Sequence, residues 1–273
     1  MHLRAAFHVH SDWSYDGRWT LDEITRAFAA RGYDCILTTE HDQGFSEDRW
    51  RAYRDACQKA STDGMLVVPG IEYSDPANTV HTLVWGDIPF LGTGRDTRSV
   101  LEEAVSRGGA CVFAHPSRKA AWELFRPEWL KYLSGIEVWN RKTDGWAPSR
   151  DALRLVSENS APPIVGLDFH SSRQFSPLRM RLPIAGQATE TSILDVLQRR
   201  ACRCEVWGRD LALFTGGFGL STVTVLEACR RPVARTLRSV IREPLGSRRR
   251  GKEPSNNEVS PPRTSACPGQ WPS

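Results

Sequence analysis

The chain lacks the marks of a membrane protein and of a disulfide-stapled one. No apolar run reaches the length needed to cross a bilayer. The first residues enter an apolar segment without a signal-peptide pattern, so a cytoplasmic location is expected. None of the seven cysteines forms a CxxC pair, and Cys202 and Cys204 are the only close two; reduced core thiols are the expectation. There is no internal repeat. Nor does the body carry a basic stripe. The net charge is +4, but residues 227–273 hold ten Lys/Arg against four Asp/Glu, which leaves residues 1–226 at −2. Long nucleic acids are therefore poor partners for the body, whereas short ones stay open.

What is present is ordinary for a globular enzyme-sized chain: 273 residues, 40% hydrophobic and 25% charged. Short apolar runs read as strands near residues 3–9, 35–39, 65–68, 80–85, 110–114, 135–140, 163–167 and 204–207. Amphipathic stretches between them read as helices. One follows Thr20, an expected N-cap whose capping box is completed by Glu23; others lie near 46–60, 97–107, 120–132, 148–159 and 193–200. This alternation predicts a mostly parallel sheet covered by helices, either closed into an α/β barrel or open and doubly wound. From about residue 222 to 242 the pattern suits one or two basic helices interrupted at Pro232. Beyond residue 244 the Pro, Ser, Gly and Arg content cannot bury a core and a disordered tail is expected, with residues 248–250 a solvated basic run.

The informative feature is where the histidines fall. His8 and His10 are two apart at the end of the first strand, and strand alternation points both to one face. His41, Glu72, His115, Asp168 and His170 end later strands, His81 lies within its own, and Asp16 is in the loop after the first. Six of the seven histidines belong to this set, and only His2 stands outside it. Functional side chains of an α/β barrel gather at the C-terminal ends of the strands. Nine His and carboxylate groups without a neighbouring cysteine suit two or three divalent ions of Zn, Mn or Fe. Three carboxylates facing that many cations leave a net positive site, which favours an anionic substrate.

The segments HVHSDWSYDG, TEHD, GIEYS with a following His, AHPSR and GLDFH resemble, in order and spacing, the motif set of the PHP (polymerase and histidinol phosphatase) family over residues 3–175. The resemblance implies a distorted (β/α)7 barrel, expected over residues 1–215, and composition adds a basic helical extension over 216–243 and a disordered tail over 244–273. It also implies a trinuclear metal centre and phosphoesterase activity. By motif, His8, His10, Glu72 and Asp168 would hold the first metal. Glu72 would bridge to a second with His81 and His115, and Asp16, His41 and His170 would hold the third. The segment after the family's Glu varies in length; as a strand histidine facing the core, His81 would leave the second metal one ligand short. Glu40 replaces the Asp that commonly precedes the family's His, a change expected to act on the ligands rather than as one.

Asp42 is the residue that the resemblance offers for the proton of the leaving alkoxide, beside a plain reading as a turn carboxylate. Arg118, three residues past His115, suits a substrate phosphate, with Lys119 and Arg173 weaker candidates of the same kind. Trp13, Trp85 and Trp139 fit either ring stacking or core packing. The expected activity is hydrolysis of a small phosphorylated metabolite or nucleotide by a metal-bound hydroxide. The alternatives are an exonuclease or oligonucleotide phosphodiesterase, and a non-catalytic metal-binding regulatory module. The expected partners are a small phosphorylated substrate and short nucleic acid, with no membrane.

Overall fold

The computed structural model describes residues 2–242. The chain divides into one large unit, Met1–Arg231, and a second, Pro232–Ser273, of which only the helical part up to Arg242 is described. The tail expected over 244–273 lies outside the described residues.

The first strand, β1 (His2–Val9), is buried from Ala5 onward. It leads to α1 (Leu21–Ala29), where the Thr20 hydroxyl accepts from Glu23 N at 3.2 Å and Glu23 accepts from Thr20 N at 2.9 Å, the reciprocal cap that the sequence predicts. Leu21, Ile24, Thr25 and Phe28 form its buried stripe. Strand β2 (Cys35–Thr38) is separated from β3 (Glu40–His41) by Thr39 alone. Helix α2 (Glu47–Ala60) buries Trp50, Tyr53, Cys57 and Ala60 behind a Ser46 cap. Strand β4 (Leu66–Val68) runs into β5 (Gly70–Ser74) with only Pro69 between them, and β6 (His81–Trp85) follows. Then come α3 (Thr97–Ser106), β7 (Ala110–Ala114), β8 (Leu133–Asn140), α4 (Arg150–Asn159), β9 (Pro163–Gly166) and β10 (Leu178–Pro183). The remainder is α5 (Glu190–Gln198), β11 (Arg203–Val206), β12 (Arg209–Asp210), α6 (Ala212–Thr215) and α7 (Gly217–Arg242). No described helix is long and apolar enough to cross a membrane.

These elements form a mixed α/β fold with two six-stranded sheets, ordered β12-β11-β10-β1-β2-β4 and β3-β5-β6-β7-β8-β9. The sheets are mixed rather than mostly parallel, because β6 runs antiparallel to both β5 and β7, and β10 antiparallel to both β1 and β11. The two sheets are joined by backbone. Strands β2 and β4 continue into β3 and β5, and the segment after β9 lies along β1, with Leu167 N donating to Phe7 O at 2.9 Å and His10 N to Phe169 O at 2.8 Å.

Two expectations need correction. The stretch around 120–132 is not one α-helix but two 3-10 pieces, Arg118–Leu124 and Pro127–Lys131. Lys119 and Ala120 have φ of 50° and 55°, which breaks a right-handed helix. Pro127 forces Arg126 into an extended conformation. Of the one or two helices expected over 222–242 there is one, α7, and only the expected interruption at Pro232 is absent.

Inside the sheets, Trp85 is fully buried and its indole N–H donates to Thr38 O at 2.8 Å, tying β6 to β2 across the interior. Trp85→Phe would leave that carbonyl without its donor and open a void, so it should lower unfolding stability by about 1–3 kcal/mol. Urea denaturation checks this as a lower midpoint at constant slope. An unchanged midpoint would remove Trp85 from the account of how the sheets are held.

Candidate metal centre

All nine ligand-type residues singled out in the sequence meet at one place. At its middle is the Glu72 carboxylate, buried on β5. Its Oε1 lies 2.6 Å from His81 Nδ1 and 2.8 Å from His115 Nε2. Its Oε2 lies 3.1 Å from His41 Nδ1, 3.3 Å from His10 Nε2 and 3.5 Å from His8 Nε2. Asp168 Oδ1 approaches His170 Nδ1 at 3.3 Å, His10 Nε2 at 3.6 Å and His8 Nε2 at 3.8 Å. Asp16 closes the outer side, 3.2 Å from His41 Nε2 and 3.0 Å from His170 Nε2. His81 therefore faces the cluster, not the core.

Strand alternation alone does not aim these groups. The β1–β2 register slips between Phe7 and Val9, and His8 at that bulge has φ 62°. His115 and Asp168 also have positive φ, 25° and 47°. Non-glycine residues in such conformations cost about 1–3 kcal/mol each and collect at functional sites. At each of these three strand ends the chain gives up favourable backbone to turn a side chain inward.

Of the supporting residues, Glu40 alone was singled out from sequence. Glu137, fully buried on β8, accepts from His8 Nδ1 at 2.9 Å, from the His115 backbone N–H at 2.8 Å and from Asn140 at 3.0 Å. Gly166 makes room for it, since a Cβ there would stand 1.8 Å from Glu137 Oε1. Glu40 accepts from the Ser14 hydroxyl at 2.5 Å, so Ser14 is left to accept from His10 Nδ1 at 3.2 Å and from His41 N at 3.0 Å. Both contacts fix the tautomer: His8 and His10 carry their hydrogen on Nδ1 and turn the Nε2 lone pair inward. Glu40 thus acts on the ligands, as expected of it. A carboxylate inside the apolar run of β8 was the available sequence signal for Glu137; Ser14 offered none.

Six atoms of the cluster, His8 Nε2, His10 Nε2, His41 Nδ1, His115 Nδ1, Glu72 Oε2 and Asp16 Oδ1, are buried and make no hydrogen bond. Buried polar atoms are normally satisfied. Three triads, His8–His10–Asp168, His8–Glu72–His115 and His10–His41–His170, place one ligand atom per residue within 4.8 Å of one another. Inward lone pairs, carboxylates and orphaned atoms together fit divalent metal ions.

The electrostatics agree. Burial opposes charge on Glu72, yet the surrounding imidazoles, His81 and His8 foremost, hold its pKa well below the usual carboxylate range. Burial likewise disfavours the charged form of His41, but Asp16 and Glu72 overcome it and raise its pKa to about 10. His8 is raised well above its ordinary value, Glu137 and Asp168 outweighing burial. His10 is lowered by burial and by its neighbours His170 and His41. In the absence of an ion these shifts favour proton uptake by His8 and His41 beside Glu72, Asp168 and Asp16, in competition with a metal.

A cavity of about 150 Å3 opens onto the cluster, lined by Glu72, His41, His81, His115, Asp16 and Asp168 together with Tyr15, Gln43, Ser74, Asn78, Arg118 and Lys142. Arg118 donates to Asn78 O at 3.0 Å and lies 3.2 Å from His81 Nε2, with its side chain on the wall. Lys142, in the turn after β8, lies 3.3 Å from Asp168 Oδ1. Asp42 is not on the wall: it is fully buried, and its Oδ2 accepts from Gly94 N at 3.1 Å. Lys119 donates to Asn78 O at 2.7 Å, and Arg173 is exposed away from the cavity. Trp85 and Trp139 are core residues and Trp13 packs on Phe45 and Tyr53, which settles the tryptophans as packing. A larger cavity of about 510 Å3 lies between β10, β11 and β12, bordered by Arg181, Arg203 and Arg209, and contains none of these histidines except the isolated His2.

No family model and no curated protein matches the chain. Solved structures do. A two-domain protein from Bacteroides vulgatus ATCC 8482 containing a predicted PHP-like metal-dependent phosphoesterase aligns with a TM-score of 0.55 at 21% identity, covering 76% of this chain and 65% of that one. The chain has a PHP-like fold. PsfC from Pseudomonas syringae PB-5123 matches at TM-score 0.57 and 15% identity, over 85% of this chain and 99% of its own. The lesion-specific endonuclease PfuEndoQ from Pyrococcus furiosus matches at 0.51 and 14%, over 73% of this chain and 56% of that one. The PHP-like fold of this chain therefore spans just under two thirds of the Bacteroides protein.

Metal binding here must displace protons from His8 and His41. Titrating Mn(II) or Zn(II) into chelator-treated protein should release protons into a weakly buffered solution, and loading should weaken as pH falls. Elemental analysis after reloading should find at least two ions per chain. One or none would sink a multinuclear centre.

Proposed function

We propose that the chain is a metal-dependent phosphoesterase acting on the terminal phosphate of a small phosphorylated metabolite or nucleotide. The observation that carries this is the Glu72-centred cluster opening into a small cavity with two cations, Arg118 and Lys142, on its wall. The PHP-like fold supports the same reading. The backbone joints from β2 to β3, from β4 to β5 and from the segment after β9 to β1 favour a distorted seven-stranded barrel. The six cysteines of the described residues are unbridged, in keeping with a reducing cytoplasm.

In this reading His8, His10, Glu72 and Asp168 would hold one ion, Glu72, His81 and His115 a second, and Asp16, His41 and His170 would form a third position. Divalent ions so held would supply Lewis-acid polarisation of the phosphoryl group and activation of water. The chain's own residues do the rest. Glu137 and Ser14 keep His8 and His10 in the ligating tautomer. Arg118, fixed by Asn78, presents its fork to the phosphate oxygens. A volume of about 150 Å3 is well below that of pockets that enclose whole small molecules, so the phosphate enters while the remainder of the substrate stays at the mouth beside Tyr15. Asp42 is assigned to positioning: its contact with Gly94 braces the loop against the strand end that carries His41.

The metal-reloaded protein should hydrolyse phosphomonoesters in a phosphatase screen. Arg118→Ala should lower kcat/KM for monoesters by roughly 10- to 100-fold, the scale of a hydrogen bond to a charged group, and affect diesters less. Diesters hydrolysed better than monoesters by the unaltered protein would favour the oligonucleotide reading instead.

Asp42→Asn should slow aryl and alkyl phosphates alike. A proton donor would instead show a loss confined to alkyl phosphates, whose leaving groups need protonation. That selective result would return Asp42 to the chemistry.

A further inference from the structure

The turn that carries Lys142 to the cavity wall is gripped from behind by the C-terminal helix. Glu227 on α7 is buried, and its Oε2 accepts from the Trp146 backbone N–H at 2.9 Å. The same carboxylate lies directly on Gly145, which has φ 81°; a Cβ there would stand 2.5 Å from Glu227 Oε1. One glycine thus meets two demands, a left-handed backbone and room for the carboxylate. Arg230, one turn further along α7, donates to both oxygens at 2.7 Å, so the buried charge is paired through a two-point contact. The inner side of the turn has anchors of its own. Asp144 accepts from the Ser117 hydroxyl and from Asn140 N, Asn140 Oδ1 accepts from Lys142 N at 3.1 Å, and the Trp139 indole N–H donates to Gly145 O at 3.1 Å.

Resting on the phosphate-site reading above, we infer that Glu227 is a positioning residue for phosphate binding, acting through the turn that holds Lys142. Helix α7 then belongs to the site although no described residue of it lines the cavity. Lys142 is a point charge on a flexible, partly exposed stem, and the reach of its ammonium depends on where the turn sets its backbone. Released from Glu227, the turn keeps its inner anchors and loses its outer one. The result is a displaced lysine, not an unfolded loop. None of the nine ligand-type residues stands on this turn, so the cluster keeps its ions while phosphate binds more weakly.

Calorimetric titration of inorganic phosphate into Mn(II)-reloaded protein reads the site without turnover. Glu227→Ala should bind phosphate roughly tenfold more weakly, the scale of a hydrogen bond to a charged group, with the same Mn(II) content by elemental analysis. Glu227→Gln keeps an oxygen for Trp146 N and should recover most of that loss. In a Lys142→Met background Glu227→Ala should add almost nothing, because both changes then act on one interaction. Should Glu227→Ala fail to fold by circular dichroism, Glu227→Asp takes its place. It retains a carboxylate for Arg230 but falls a methylene short of the Trp146 peptide, and the same Lys142-dependent loss is expected. Unchanged phosphate affinity would overturn the inference, and so would an equal loss in the Lys142→Met background. Phosphate binding without monoester hydrolysis by the unaltered protein would end the phosphoesterase reading and leave this inference to its titrations. No phosphate binding by the unaltered protein would overturn both.

Discussion

One buried carboxylate organises the molecule. Glu72 lies at the middle of five imidazoles, all within 3.5 Å of its two oxygens. A charge so buried is stable only if it is paired, and the chain brings its partners from four separate strands, with His8 and His10 both from the end of β1. The mixed sheets follow from this requirement as much as from apolar burial. Strand β6 runs against its neighbours, and in doing so brings His81 from its N-terminal end to the rim where the others present their C-terminal ends. The bulge at His8 serves the same purpose on β1.

Around that core of ligand atoms stands a shell of groups that accept hydrogen and so set which imidazole nitrogen is free. Glu137 does this for His8, the Glu40–Ser14 pair for His10, and the Asp168 carbonyl for His170. The first two leave a lone pair toward Glu72 and Asp168. Tautomer control, rather than the number of histidines, therefore decides which ring nitrogens face the cluster.

The inner groups were legible because strand ends are. A histidine or carboxylate that closes a short apolar run is conspicuous, and His8, His10, His41, Glu72, His115, Asp168 and His170 all do so. Helix α1 was legible through its cap. The outer groups were not. Lys142 lies in a polar turn where a lysine is indistinguishable from a solvated one until the chain is folded. Glu137 is hidden in an apolar strand whose partner is set by sheet order, not by nearby sequence. The stretch over 118–131 has helical spacing, but spacing says nothing of the left-handed backbone at Lys119 and Ala120. Strand β10 alternates Leu178, Met180 and Leu182 with two arginines, a readable period whose antiparallel partner, β1, lies 170-odd residues away.

The left-handed backbone at His8, His115 and Asp168 has a meaning for the evolution of the chain. Glycine is the residue that such conformations favour, so at each of the three positions local folding and ligation ask for different side chains. A lineage freed from the need for chemistry would drift toward glycine there and gain stability while losing its centre. Retaining histidine, histidine and aspartate instead binds the fold's stability to its cargo: an ion that engages these side chains stabilises the folded chain by mass action, and the strained positions are where that support is received.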